Sequence, residues 1–242
     1  MDYIYDINQC ESLDELFSLW KYKDSEDMAD HKDSVFISDG IVDPATWNSG
    51  AKKKILFVLK EAYDRDKTGF SLNKWLHTHP RRRIWNRIAR VTRGLQNTTI
   101  STIARYKSEL SDEEYADALD QIAVMNLKKR DGKTGSDYND IARCEKYDRE
   151  ELKKEFELIN ADIIVCGYTF EILHQVVFGN EEPNEKCDNW YYWLDYDGRG
   201  KRLFIDYYHP AIHDSDLLYY YGLIGIYQQA LIEDGFRFRE VL

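Results

Sequence analysis

Paired cysteines, proline, long apolar runs and glycine-rich phosphate loops are all scarce in this chain. Its 242 residues include four cysteines and four prolines. Cys10, Cys144, Cys166 and Cys187 are scattered with no Cys-x-x-Cys pair, so neither a disulfide framework nor a zinc knuckle is indicated. No stretch approaches the roughly 18 uncharged apolar residues of a membrane helix, and no membrane partner is expected. The opening Met-Asp-Tyr-Ile-Tyr-Asp lacks the basic-then-apolar pattern of a leader, which makes a cytoplasmic location the expectation. Gly-x-x-x-x-Gly-Lys-Ser/Thr and strand-following Gly-x-Gly-x-x-Gly loops are missing, so nucleoside triphosphate and dinucleotide binding lose their main support. The Gly-x-Ser-x-Gly nucleophile elbow is missing too. No cofactor is expected.

What is present is an uneven charge. The net charge of -11 argues against a surface that coats nucleic acid generally. Yet residues 51–107 hold 15 Lys or Arg against three acids, Glu61, Asp64 and Asp66, leaving about -23 on the rest. Arg81, Arg82, Arg83, Arg87 and Arg90 sit in this region, and Arg83, Arg87 and Arg90 share one helical face. Such a strip tracks phosphates or forms a solvated face balancing acidic neighbours. His77 and His79 are poorly spaced for one helical metal face and no third ligand is evident, so no metal site is expected.

Hydrophobic content of 43% over this length suits one domain spanning 1–242, with 1–50 as an N-terminal helical extension. Ser12-x-x-Glu15 and Ser111-x-x-Glu114 match capping boxes, and Asp148-x-x-Glu151 resembles them. Helices are predicted near 12–22, 83–93 (closed by Gly94), 111–119, 148–159, 169–178 and 215–233 (closed by Gly235). Strands are predicted at 55–59, 121–126, 161–166 and 202–208, the last pairing with Trp190–Tyr196 through the Asp197-Gly198 turn. Residues 130–147 and 180–189 read as polar excursions. Helices alternating with strands predict an α/β fold, a three-layer αβα sandwich around a mainly parallel four-stranded sheet. Ligands of such sheets bind at the carboxyl ends of the strands, where Glu61, Asn126, Gly167 and His209 fall.

Those strand ends carry a family likeness. Lys60-Glu61-Ala62-Tyr63-Asp64 stands where a Gly-Glu-Ala-Pro-Gly segment would, and Gly69-Phe70 precedes Ser71-Leu72-Asn73. Met125-Asn126-Leu127-Lys128-Lys129 ends a strand with Asn and a Lys-bearing loop. Leu158 to Gly167 passes from an acidic helix into a hydrophobic strand and a glycine, and His209-Pro210-Ala211 precedes a helix. In this order, over about residues 52–230, the chain resembles the uracil-DNA glycosylase superfamily, particularly its thermophile-type branch. Tyr63 and Asp64 replace Pro and Gly, and Ala211 replaces Ser. The cysteines of that branch's iron–sulfur cluster are missing, and no cluster is expected. The resemblance implies a partner, DNA carrying uracil or a damaged base, and hydrolysis of an N-glycosidic bond.

Residue chemistry fits that reading. Such cleavage needs charge stabilisation for an oxocarbenium-like sugar, a water on its far face and a partner for the departing base anion. Glu61 can serve the first two and His209 the third, as a neutral hydrogen-bond donor. Asn126 offers donor and acceptor to a Watson–Crick edge, Phe70 stacks on an extruded base, and Tyr63 lies beside it. The alternatives are plain: Glu61 paired with a cation, His209 and Phe70 as core residues, Asn126 capping a turn. A protein of the same fold that binds a nucleobase or nucleic acid without turnover is the rival reading.

Overall fold

The structure, a computed structural model, describes residues 6–21, 23, 34–132, 135–179 and 190–237, with only the backbone at 235–237. Four apolar segments form the centre of one sheet: β2 (Ile55–Glu61), β3 (Ile122–Lys128), β4 (Ile163–Gly167) and β6 (Arg202–Tyr207). They run parallel in the order β3-β2-β4-β6. Two short strands close the margins antiparallel, β1 (Gly40–Ile41) on β3 and β5 (Tyr191–Leu194) on β6. The result is a mixed six-stranded sheet rather than a four-stranded one. The helices are α1 (Leu13–Trp20), α2 (Pro44–Asn48), α3 (Leu72–Leu76), α4 (Arg83–Asn97), α5 (Asp112–Asp120), α6 (Tyr138–Tyr147), α7 (Arg149–Ile159), α8 (Phe170–Phe178) and α9 (Asp216–Arg237).

Alternation along each strand divides the core in two. Ile55, Phe57, Val124, Val165 and Ile205 pack with α4, α5 and α9 on one face. Leu56, Val58, Met125, Ile164 and Phe204 pack with α1, α7 and α8 on the other. Because both faces are covered, β2 and β3 read as continuous apolar runs, and each fully buried Val, Leu or Ile contributes about 1.5–3 kcal/mol.

Several expectations need correction. The N-terminal 50 residues are no mere extension, since β1 pairs with β3 and α1 packs on α7. Gly94 does not end α4: a Cβ there would lie 2.6 Å from Ile224 Cδ1 and 2.8 Å from the Tyr220 ring, so this glycine lets α9 cross closely. Gly235 lies inside α9. Asp148 makes no cap, because its carboxylate accepts the Trp20 indole N–H at 3.0 Å. The excursion at 130–147 contains α6, started by the Asp137 side chain accepting from Asn139 N–H. Residues 180–189 lie outside the described set, as does Cys187.

Candidate functional site at the carboxyl edge of the sheet

All four parallel strands end at one edge. From β2 the chain crosses to β3 on one side and then to β4 on the other, so β2 and β4 part at a topological switch point. Continuing the alternation outward sends Glu61, Asn126, Lys128, Gly167 and His209 toward the α4/α9 side of that edge.

Glu61 pairs in register with Lys128 across β2 and β3. Its Oε2 accepts from Lys128 Nζ at 2.9 Å, and Lys128 also donates to Asp140 Oδ2 at 2.8 Å. Both side chains are closed in, at 5% and 3% exposed. Burial alone would pull the Lys128 ammonium down, but its bonds to Asp140 and Glu61 outweigh it, and the pKa lies above the ordinary lysine value. Glu61 Oε1 is buried with no hydrogen-bond partner among the described residues. Gly132 lies over this carboxylate, where a Cβ would come within 2.5 Å of Glu61 Cδ. A side chain at 132 would have to push the Glu61 carboxylate aside.

His209 follows β6 and lies on Gly167, where a Cβ would stand 3.3 Å from its Cδ2 and 3.2 Å from Leu59 Cδ2. Its Nδ1 accepts the Ala211 N–H at 3.2 Å, which leaves the ring proton on Nε2. Burial, helped by the charge of Lys60, pushes its pKa down to about 4. At neutral pH this is an uncharged imidazole whose Nε2–H has no partner among the described residues. Glu61 and His209 thus occupy the same edge and the same side, on strands separated only by β4.

The other expected residues are less simply placed. Asn126 lies inside β3, which runs on to Lys128 because paired charges allow lysines to be buried there. Asp39 Oδ2 accepts from its backbone N–H at 2.7 Å and from Nδ2 at 3.1 Å, which uses one of the two amide protons. Asp39 and Glu155 both bond Lys129 Nζ, forming a buried triad. Phe70 stands edge-on to Trp75 and lines a cleft of about 480 Å³ with Phe17, Phe36 and Asp39, toward the β1 side. Tyr63 is 54% exposed. Asp64, which replaces a glycine of the likeness, accepts N–H bonds from Asp66, Thr68 and Gly69 and so shapes the loop leading to Phe70.

A second pocket, of about 400 Å³, opens at the switch point on the opposite side of the sheet, lined by Lys60, Tyr138, Tyr168, Phe170, Glu171 and Asp206. Burial and the neighbouring Glu171 raise Asp206 to about 6. Tyr168 holds a left-handed φ of 58° and lies under the Lys60 ammonium, 5.7 Å from its ring centre. This pocket went unread in the sequence, although Lys60 and Asp206 are the strand-end residues that alternation directs away from Glu61.

The chain matches no protein-family model and no curated protein.

The arginine strip is divided, with Arg81, Arg82 and Arg83 exposed and Arg87 and Arg90 turned inward. Arg87 is 1% exposed and donates to the carbonyls of Pro210, Ile212 and Asp214 and to Asp216, with its guanidinium 4.6 Å from the Tyr219 ring centre. Arg90 bonds Asp216 and the Ser108 carbonyl, while Arg81 bonds Asp112 and stacks on Tyr115. A buried guanidinium with all its donors engaged does not reach a phosphate, so Arg87 leaves the expected phosphate set. Arg83 reaches the Ile212 carbonyl from a solvent-facing position, and Arg82 makes no side-chain bond among the described residues. Arg87 instead fixes the loop that carries His209.

Proposed function

We propose that this protein hydrolyses the N-glycosidic bond of a deaminated or damaged base extruded from DNA, in the manner of uracil-DNA glycosylases. The observation that carries the reading is the juxtaposition of Glu61 and a neutral His209 on one side of one sheet edge. In this reaction water adds to C1′ and the base leaves as an anion that takes up a proton. Glu61, paired with Lys128 through Oε2, stabilises the sugar cation and orients water through Oε1, which has no partner among the described residues. The His209 Nε2–H donates to the base carbonyl on which negative charge develops. Asn126 reads the base edge with its remaining N–H and its carbonyl, Phe70 and Tyr63 supply aromatic surface, and Arg82 and Arg83 hold phosphate.

Alkali-induced strand cleavage of labelled oligonucleotides containing uracil, hypoxanthine, xanthine or oxidised pyrimidines tests this. Excision of at least one base is expected, and Glu61→Gln should slow it by roughly 10²–10³ while leaving DNA affinity within a few fold. A second reading, base binding without turnover, draws on the enclosure of Glu61 by Gly132 and Lys128. DNA binding with no excision of any base would select it.

A further inference from the structure

Far from this edge, the fold assembles a group of side chains that spacing alone would keep apart. His77 caps the C-terminal end of α3, and His79 follows two residues later in the left-handed region, at φ 53°. Asp120 ends α5, just before the start of β3 at the opposite edge of the sheet. Its Oδ1 lies 3.1 Å from His77 Nδ1 and 2.8 Å from His79 Nε2, and the ligand atoms of all three residues lie within 4.8 Å of one another. The third ligand thus comes from a helix 41 residues beyond His79.

We propose that His77, His79 and Asp120 form a binding site for one divalent d-block cation of borderline softness, with zinc the best fit. Two imidazole nitrogens and a carboxylate oxygen suit an ion bound at about 2.0–2.2 Å, and the ring nitrogens, now at hydrogen-bond distance from Asp120 Oδ1, need to part from it by only a few tenths of an ångström to reach the roughly 3.3–3.6 Å tetrahedral edge that such bonds require. Calcium and magnesium favour all-oxygen sets, so the imidazoles select against them. The fourth position faces solvent, since the His77 side chain is 54% exposed.

The ligands are also held in place before any ion arrives. The Tyr115 hydroxyl donates to the Pro80 carbonyl at 2.7 Å, and Arg81 bonds Asp112 at 2.6 Å, so the chain after His79 is laid along α5. A residue preceding proline rarely adopts a left-handed φ, and here that conformation turns the His79 ring onto Asp120. In the empty site the two ring nitrogens donate to one carboxylate oxygen. The ion takes the place of those protons, each neutral ring then carrying its proton on the other nitrogen. Bound metal would pin the α3–α4 loop, and with it Arg81 and Arg82, to α5.

Calorimetric titration of chelator-stripped protein with ZnCl₂ tests the site. One equivalent should bind with a dissociation constant in the micromolar range or tighter, raising the thermal midpoint in a saturable way that EDTA reverses. Co²⁺ should give the visible d–d bands of a four-coordinate nitrogen–oxygen site. Asp120→Asn and His79→Asn should each weaken binding at least tenfold; asparagine is chosen at 79 because it tolerates a left-handed φ. Circular dichroism checks the fold, and His77→Gln, at the most exposed ligand, repeats the test should His79→Asn fold poorly. The proposal is overturned if the wild type shows no saturable binding, or if Asp120→Asn and His77→Gln both bind within threefold of wild type.

Discussion

Neutral His209 is the most exposed part of the proposed chemistry to measurement. Its pKa is held at about 4, first by burial and second by Lys60, against 6.5 in an unfolded chain. Above pH 6.5 neither state carries the proton, and His209 leaves stability unchanged. Between 6.5 and about 4 the unfolded chain takes up the proton and the folded one does not, so stability falls as pH falls. At about 1.36 kcal/mol per pH unit the loss reaches roughly 3 kcal/mol, and below pH 4 it levels off. Asp206 acts in the opposite sense. Its folded pKa of about 6 exceeds the ordinary 3.8, so the folded state protonates first and gains roughly 3 kcal/mol over nearly the same window. The wild-type curve therefore conceals both effects, and a difference between variants is needed. Asparagine at 209 keeps an acceptor for the Ala211 N–H and does not titrate. Urea unfolding of wild type and His209→Asn from pH 7 to pH 4 should show the variant gaining about 3 kcal/mol relative to wild type as the pH drops. The imidazole carbon resonance of His209 should titrate near pH 4, and Lys60→Met should move that midpoint upward. A difference that stays flat to within about 0.5 kcal/mol, or a His209 midpoint at or above 6, would refute the buried neutral imidazole and the donor role built on it.

Other expectations follow from the buried charges. Arg87→Met removes the donor of the Pro210 and Asp214 carbonyls and leaves the Ile212 carbonyl to Arg83 and Asp216 to Arg90, so it should cost about 2–4 kcal/mol, or roughly 4–16 °C in Tm, with amide exchange rising first across residues 208–214; a loss under about 1 kcal/mol in urea unfolding would contradict it. Lys129→Met strands Asp39 and Glu155, both fully buried, and should be destabilising by a similar amount at pH 8 and by less at pH 5. The reason is that burial already raises Glu155 far above its usual range, so its protonation relieves the unpaired charge; equal losses at both pH values would count against this. Gly132→Ala should cost about 1–3 kcal/mol in chemical denaturation and displace Glu61 from Lys128, lowering any excision activity along with stability.

The parts of the fold legible in the sequence are those in which periodicity and chemistry agree. The four parallel strands, the hairpin of β5 with β6 and the capping box at Ser111 were readable because apolar runs and turn signals point the same way. β1 was not, since two residues carry no period; it exists because β3 presents an unpaired edge that Gly40 and Ile41 can satisfy. The extension of β3 through Lys128 was equally hidden. A lysine at a strand end reads as the beginning of a loop, and only the carboxylates of Glu61, Asp140, Asp39 and Glu155, arriving from distant segments, make its burial tolerable.

The same physics accounts for what was misjudged at the site. A run of arginines on one helical face looks identical in sequence whether it meets phosphate or its own chain, because the distinction rests on partners far away. Arg87 finds them 123–129 residues later, in the loop that carries His209. The guanidinium therefore works through that loop, bridging three carbonyls whose positions decide where the imidazole stands over Gly167. A fork of fixed donors suits that task, whereas the single ammonium of a lysine would satisfy fewer carbonyls at once. Rigidity at His209 is then a property of α4, and Arg87, one member of a positive face that the sequence left open between phosphate and the protein's own acidic groups, holds the site's donor in place.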